Sequence, residues 1–313
     1  MHIEGGLSST MKRLLFSAIL LFFSIYLYSQ SFGDLGKPDD YYETIEILDV
    51  SEELPNDWDW RNEIGEEYWP KAKNQGSCNS CWAFAATGAF TAKVNYDEFV
   101  MIGIGDQWLS VSQQILCNDY MGGCNGGTMK CIYYWMIKQS QRWDVNNGPM
   151  LWDCTGYDPY DTTCDEIQNN CSELLYRAIN YHTLLVVDDP THPPHNGHMV
   201  LDVDQAKQSI YTYGPAYFHF MVYEDFKYEY WVDPIDPNDP NPAYRHTHGN
   251  PIEMHAVMII GWIGTPIGAW ICQNSWGSHA GPYGDGSFLI RWHDHQDNLE
   301  MGMANFYPIM IRD

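Results

Sequence analysis

The spacing of apolar and polar positions changes along this chain, and the changes divide it. Residues 14–28 (LLFSAILLFFSIYLY) are almost continuously apolar, whereas residues 30–54 are acidic with little periodic pattern. From Ser80, CWAFAATGAFTAKVNY places Ala83, Ala85, Ala86, Gly88 and Ala89 where neighbours must approach closely, which predicts a buried helix. SVSQQILC (110–117) and TMKCIYYWMIKQ (128–139) predict two more helices. Beyond about residue 175, short apolar runs between glycine-bearing turns take over. HAVMIIGW (255–262), AWICQNSW (269–276) and GSFLIRW (286–292) read as strands. Helices first and strands later predict an α+β fold of two halves, helical over about 55–165 and sheet-rich over about 166–313. Two proline-rich loops, 188–199 and 232–251, interrupt the second half, and no internal repeat is present.

The first apolar run follows Met11-Lys12-Arg13 and is short for a membrane span. Residues 1–29 are therefore expected to be a signal peptide cut after Ser29, with Met11 as an alternative start and an uncleaved anchor as the minority alternative. Residues 30–54 are expected to be an exposed arm or a short acidic prosegment, ahead of a domain over 55–313. No other stretch approaches spanning length, so no membrane association is expected after cleavage. Sixteen Lys and Arg against 41 Asp and Glu give a net charge of −25, which repels phosphate backbones and argues against nucleic-acid binding. Nine cysteines in an exported chain predict disulfides, and the odd count leaves at least one thiol without an internal partner.

Residues 74–84 read NQGSCNSCWAF. Cys81 falls at the start of the predicted helix, where the partial positive charge of a helix N-terminus favours thiolate. His255 and Asn274 follow far downstream, each in a strand context. This is the order expected when a cysteine attacks a carbonyl, a histidine carries the proton and an amide orients the ring. A zinc ribbon needs a second cysteine pair at similar spacing, and a dithiol redox site needs a βαβ setting; neither is found. His192, His195 and His198, and His246 and His248, lie in proline-broken loops and read as solvated surface rather than metal ligands. Asp233, Asp236, Asn238 and Asp239 lack the EF-hand pattern and read as an exposed acidic loop. Asn170-Cys171-Ser172 is a glycosylation sequon of doubtful access if Cys171 is bridged.

Over nearly all of residues 54–313 the chain resembles the papain-like cysteine peptidases. NQGSCNSCWAF resembles their nucleophile segment, and GCNGG (123–127), MHAVMIIGW (254–262), QNSWGSHAGPYGDGSFLIRW (273–292) and FYP (306–308) resemble their later blocks in order. Within the family, LPNDWDWRNEIG and the spacing of Cys154, Cys164 and Cys171 are most similar to cathepsin X. The resemblance implies two subdomains, a helical one and an antiparallel, barrel-like one, with the active site in the cleft between them. It implies Cys81 as nucleophile, His255 as proton carrier, Asn274 as its orienter, Gln75 with the Cys81 N–H as the oxyanion site, and Trp276 as the shield of the His255–Asn274 bond. It also implies that substrate lies along Gly126 and Gly127, and that Cys78 pairs with Cys124. Cys117–Cys164 and Cys154–Cys171 are the next expected bridges, while Cys131 and Cys272 stay unassigned.

Asn79 stands where the family usually has glycine, in the pocket for the residue before the cut, and Met254 replaces a polar residue ahead of the histidine. Gln75 runs to Cys81 without the extra loop of cathepsin X, so endopeptidase action is expected rather than carboxypeptidase action. Ala304 near the floor of the pocket for the second residue before the cut implies a bulky apolar preference there. The expected setting is secretion or a lysosome-like acidic vesicle, with peptide or protein substrates, protein inhibitors as partners and no cofactor or metal. A catalytically silent binding protein on the same fold is the alternative from another class, and intact Gln75, Cys81, His255 and Asn274 argue against it.

Overall fold

The computed structural model describes residues 31–65, 68–97, 108–118, 123–130, 150–171, 176–178, 180–191, 197–236, 238–307 and 309–311. The strands run in chain order as β1 (Asp57–Asp59), β2 (Tyr176–Ala178), β3 (Tyr181–Thr183), β4 (Val186–Asp188), β5 (Met199–Leu201), β6 (Ala216–Tyr223), β7 (Pro251–Ile263), β8 (Ala269–Gln273), β9 (Ser287–Arg291), β10 (Gly302–Phe306) and β11 (Ile309–Ile311). The principal sheet is antiparallel in the order β3-β10-β6-β7-β8-β9, with β1 also on β7. Among the described residues β1 precedes every α-helix, so the two halves are not separated cleanly along the chain. At Gly261 an added Cβ would lie 2.0 Å from the Trp58 carbonyl oxygen, so only glycine lets β1 close on β7.

The sheet is open rather than barrel-closed. Its two edges are capped by other segments: Ile45 of the N-terminal arm bridges Thr183 of β3, and Tyr244 bridges Ile290 of β9. Pairing the edges this way satisfies their backbone groups without closure. One core fills the sheet half, with Trp262 and Trp270 facing each other across β7 and β8 at full burial. A second core surrounds the Cys81–Asp97 helix. Ala83, Ala86, Ala89 and Ala92 are all fully buried, on different faces of that helix, which is why its sequence shows no polar stripe. The expected helix at 110–117 is found over Val111–Leu116, capped by Ser110 Oγ accepting from Gln113 N–H at 3.0 Å. The one expected at 128–139 lies outside the described residues beyond Lys130.

Disulfides join Cys78 to Cys124, Cys117 to Cys164 and Cys154 to Cys171. Cys272 is a free thiol buried in β8, so it makes no bond to Cys131, which lies outside the described residues. The arm at 31–54 differs from the exposed-arm alternative. Phe32, Asp34 and Tyr41 are buried, and Tyr41 donates its hydroxyl to the Leu184 carbonyl at 2.8 Å. His246 also differs from the solvated-surface expectation. It is fully buried, with Nδ1 3.0 Å from Asp225, Nε2 3.0 Å from Asp297 and its ring stacked on Tyr223. Its neighbour His248 is exposed and pairs with Glu229. His192 and His195 lie outside the described residues.

Burial lowers His182 and His295 from 6.5 to about 4. The unfolded chain takes up protons on these rings below about pH 6.5, while the folded chain resists until about 4. Their contribution to stability is therefore present above pH 6.5 and lost as pH falls through that window. Thermal scans should show a steady melting temperature above pH 7 and a fall of several degrees between pH 6.5 and 4. His182→Gln should flatten the slope; an unchanged slope would remove the histidines as its cause.

Candidate active site

Three elements meet at one point. Cys81 is the first residue of the Cys81–Asp97 helix, His255 lies in β7, and Asn274 directly follows β8. Register aligns the last two, because β7 pairs Met258 with Gln273 and leaves Asn274 level with the start of the apolar run. Asn274 Oδ1 lies 2.8 Å from His255 Nε2 and accepts the Ser275 N–H at 2.7 Å. A backbone N–H must meet oxygen, so Ser275 settles which way the amide faces. His255 then carries its proton on Nε2 and leaves Nδ1 bare; that nitrogen is buried with no hydrogen-bond partner. Cys81 Sγ accepts the Ala256 N–H at 3.4 Å, next to His255 along β7.

Trp276 stacks on the His255 ring with centroids 4.5 Å apart and is 1% exposed, which keeps water from the His255–Asn274 bond. Gln75 is buried, and Ser275 Oγ donates to its Oε1 at 2.6 Å. That contact turns the Nε2 group toward the cleft, where it donates to the Cys78 carbonyl at 3.0 Å and the Phe32 carbonyl at 3.5 Å. The Cys78–Cys124 bridge ties the nucleophile loop to the loop of Gly126 and Gly127, and Asn79 bridges Asn125 between them.

The arm occupies this cleft. Asp34 forms a parallel bridge with Gly127: Gly127 N–H donates to the Gly33 carbonyl at 2.8 Å, and Leu35 N–H donates to the Gly127 carbonyl at 3.0 Å. The missing side chain of Gly126 faces the arm, since a Cβ there would lie 2.9 Å from Gly33 O; the one missing at Gly127 makes room for the Trp82 indole. Phe32 packs edge-on to His255 and Trp276, and Trp276 Nε1 donates to the Ser31 carbonyl. Gly33 sits against the backbone of Asn79 with φ of +144°. The Asp34 carboxylate turns toward Tyr217, whose hydroxyl donates to it, and His219.

Coverage by the arm sets the protonation. Burial first, and the Asp34 charge second, push the Cys81 thiol well above its ordinary value, against donors on Ala256, Trp82 and Asp34. Burial lowers His255 to about 4, more than the Asn274 bond and the Asp34 charge raise it. Both shifts favour the neutral thiol and the neutral imidazole, against the pull of the helix N-terminus toward thiolate.

Cys81, His255, Asn274, Gln75 and Trp276 are thus brought together, Asn79, Gly126 and Gly127 lie against the arm, and Ala304 is fully buried opposite Tyr217. Sequence reasoning missed Ser275, Phe32, Asp34, Tyr217 and His219. Only Phe32-Gly33, an aromatic and a glycine heading an acidic stretch, signalled a contact. The others depend on which strands neighbour one another. On β6, Tyr217 stands opposite Ala304 and His219 opposite Gly302, so polar side chains neighbour Ala304 in the sheet.

The papain family cysteine protease model matches residues 54–309, and the chain belongs to that family. It is a cysteine peptidase. It is 28% identical over 249 residues to the cathepsin B-like CP1 of Giardia intestinalis, covering 76% of this chain and 69% of that one. It is also 28% identical over 287 residues to the cathepsin B-like cysteine proteinase 6 of Caenorhabditis elegans, covering 83% and 68%. The fold is similar to that of proCathepsin B S9 from Trypanosoma congolense, with a TM-score of 0.62 at 20% identity over 88% of this chain and 86% of that one.

Gly33→Ala should loosen the arm, since the new Cβ would lie 2.1 Å from the Asn79 carbonyl oxygen. Alkylation of Cys81 by iodoacetamide in the full chain should accelerate about tenfold or more, an opening free energy reduced by about 1.4 kcal/mol. Equal rates in the two proteins would mean that Gly33 does not hold the cleft shut.

Proposed function

We propose that this protein is a secreted or vesicular peptidase in which Cys81, His255 and Asn274 hydrolyse internal peptide bonds once the arm has left the cleft. The observation that carries the reading is the 2.8 Å His255–Asn274 contact, which leaves a bare Nδ1 on the strand whose next N–H meets Cys81 Sγ. With the arm gone, water and the helix N-terminus stabilise a thiolate–imidazolium pair. The thiolate adds to the peptide carbonyl, and its oxygen takes the negative charge, held by the Cys81 N–H and Gln75 Nε2. Nδ1 gives its proton to the departing amine as the C–N bond breaks. Water then attacks the thioester, Nδ1 accepts its proton, and Cys81 is released.

Residues 31–54 act as a non-covalent prosegment in this reading. Three disulfides suit an oxidising compartment, and among the described residues no helix is long and apolar enough to cross a membrane. One observation favours a second reading, stepwise removal of C-terminal residues. The Lys227 ammonium lies 4.6 Å from the Phe32 ring, on the side of His255 and Trp276 where the leaving half of a substrate would sit, and could meet a terminal carboxylate.

Cys81→Ala should abolish hydrolysis, by about 10⁴-fold or more. Gln75→Ala should lower kcat about 10²-fold with KM little changed. Mass analysis of a digested polypeptide should show internal cuts. Loss of single residues from the C-terminus would replace the endopeptidase reading with the second one, and a Cys81→Ala protein that still cleaves would end both.

A further inference from the structure

The pocket that receives Asp34 has an unexpected chemistry for a small-residue floor. Tyr217 and His219 on β6 face Ala304 and Gly302 on β10, so all four side positions lie on one face of the sheet. The two small residues leave space, and the two large ones carry polar tips. His219 depends on Gly302 for its place: a Cβ at that position would meet Nε2 at 2.3 Å. The ring is fully buried, and among the described residues neither nitrogen has an aligned hydrogen-bond partner. The Asp34 carboxylate lies beside it, with Oδ2 3.3 Å from Nδ1. The same Oδ2 accepts the Tyr217 hydroxyl, while Oδ1 accepts the arm's own Gly36 N–H. Asp34 is itself 3% exposed.

A buried imidazole whose nitrogens meet no aligned partner is costly unless an acceptor reaches it. In the covered protein the acceptor comes from the arm, which is not part of the sheet. When the arm leaves, His219 loses its contact with Asp34 and faces the space the carboxylate filled, and the Tyr217 hydroxyl no longer donates to Asp34. Asp34 is centred on the backbone bridge to Gly127, and a peptide lying along Gly126 and Gly127, as the family resemblance implies, would send one side chain into this pocket. A leucine there would leave the imidazole unmet, whereas a carboxylate would meet both donors in one group.

We propose that, given the peptidase reading above, this pocket selects substrates with an aspartate or glutamate two residues before the scissile bond, and that Asp34 is the chain's own mimic of that side chain. This replaces the bulky apolar preference expected from Ala304 alone. Ala304 and Gly302 supply the room, and Tyr217 and His219 supply the chemistry.

The test uses the full chain activated by limited proteolysis of the arm, with active sites counted by iodoacetamide labelling of Cys81, a reagent too small to read the pocket. Fluorogenic peptides differing only at the second residue before the cut, carrying Asp, Glu, Asn or Leu, are then compared by kcat/KM. Asp or Glu should exceed Leu by at least tenfold, with Asn between. The Asp-to-Leu ratio should fall at least tenfold in His219→Leu and in Tyr217→Phe. Because the pocket variants could fail to fold, Asp34→Leu in the uncleaved chain provides a second measurement that leaves the pocket wall intact. It should speed Cys81 labelling at least tenfold, since the arm loses its anchor. Leu peptides cut as well as Asp peptides, or an Asp34→Leu chain labelled no faster, would overturn the acidic pocket while leaving the peptidase standing. Selective Cys81 labelling with no peptide cleaved at all would instead count against the peptidase reading.

Discussion

One hydrogen bond organises the cleft. With the Asn274 carbonyl oxygen 2.8 Å from His255 Nε2, the ring proton is committed to the side away from the sulfur, and the other nitrogen is left bare. That choice is not made by the pair alone. The Ser275 N–H forces the amide's oxygen inward, and the β7–β8 register delivers Asn274 beside His255. Trp276 then covers the bond. Ser275 also turns the Gln75 amide through its hydroxyl, so the proton carrier and the oxyanion site share one anchoring residue. A shift of one residue in this register would carry Asn274 away from the His255 ring.

The second organising constraint is the exclusion of water. A thiol and an imidazole become a charged pair only where solvent or dipoles can support the charges. The arm removes the solvent and adds the Asp34 carboxylate near Cys81, so both groups stay neutral. The arm thus covers the nucleophile and also disfavours its reactive form. Its hold is distributed. Backbone bonds to Gly127, the Phe32 ring on His255 and Trp276, the carboxylate beside Tyr217 and the Tyr41 hydroxyl on the Leu184 and Met303 carbonyls all belong to a segment with no regular fold of its own beyond the short Tyr41–Thr44 turn. Buried neutral histidines elsewhere in the sheet half give the same acid-sensitive bias to the whole domain.

Much of the fold was legible because its signals are local. The alanine-rich run from Ser80 can pack only as a buried helix, and the runs at 255–262, 269–276 and 286–292 are bounded by turn residues; all are found near their expected limits. The open sheet was not legible, because closure depends on whether distant edges meet, and here Ile45 and Tyr244 occupy them instead. The burial of His246 was hidden for a related reason. Its loop is rich in proline and acid, yet Asp225 and Asp297, from remote positions, enclose the ring.

By itself the sequence determined the nucleophile loop, the order of Cys81, His255 and Asn274, and the residue types at Gln75 and Trp276, since each is carried by a short contiguous block. Only the tertiary structure decided what those groups face. The arm's path through the cleft, the orientation imposed by Ser275 and the polar wall behind Ala304 come from strands and loops far apart in the chain. No local pattern encodes them, because the residue opposite a side chain is chosen by strand pairing and packing rather than by its neighbours in sequence.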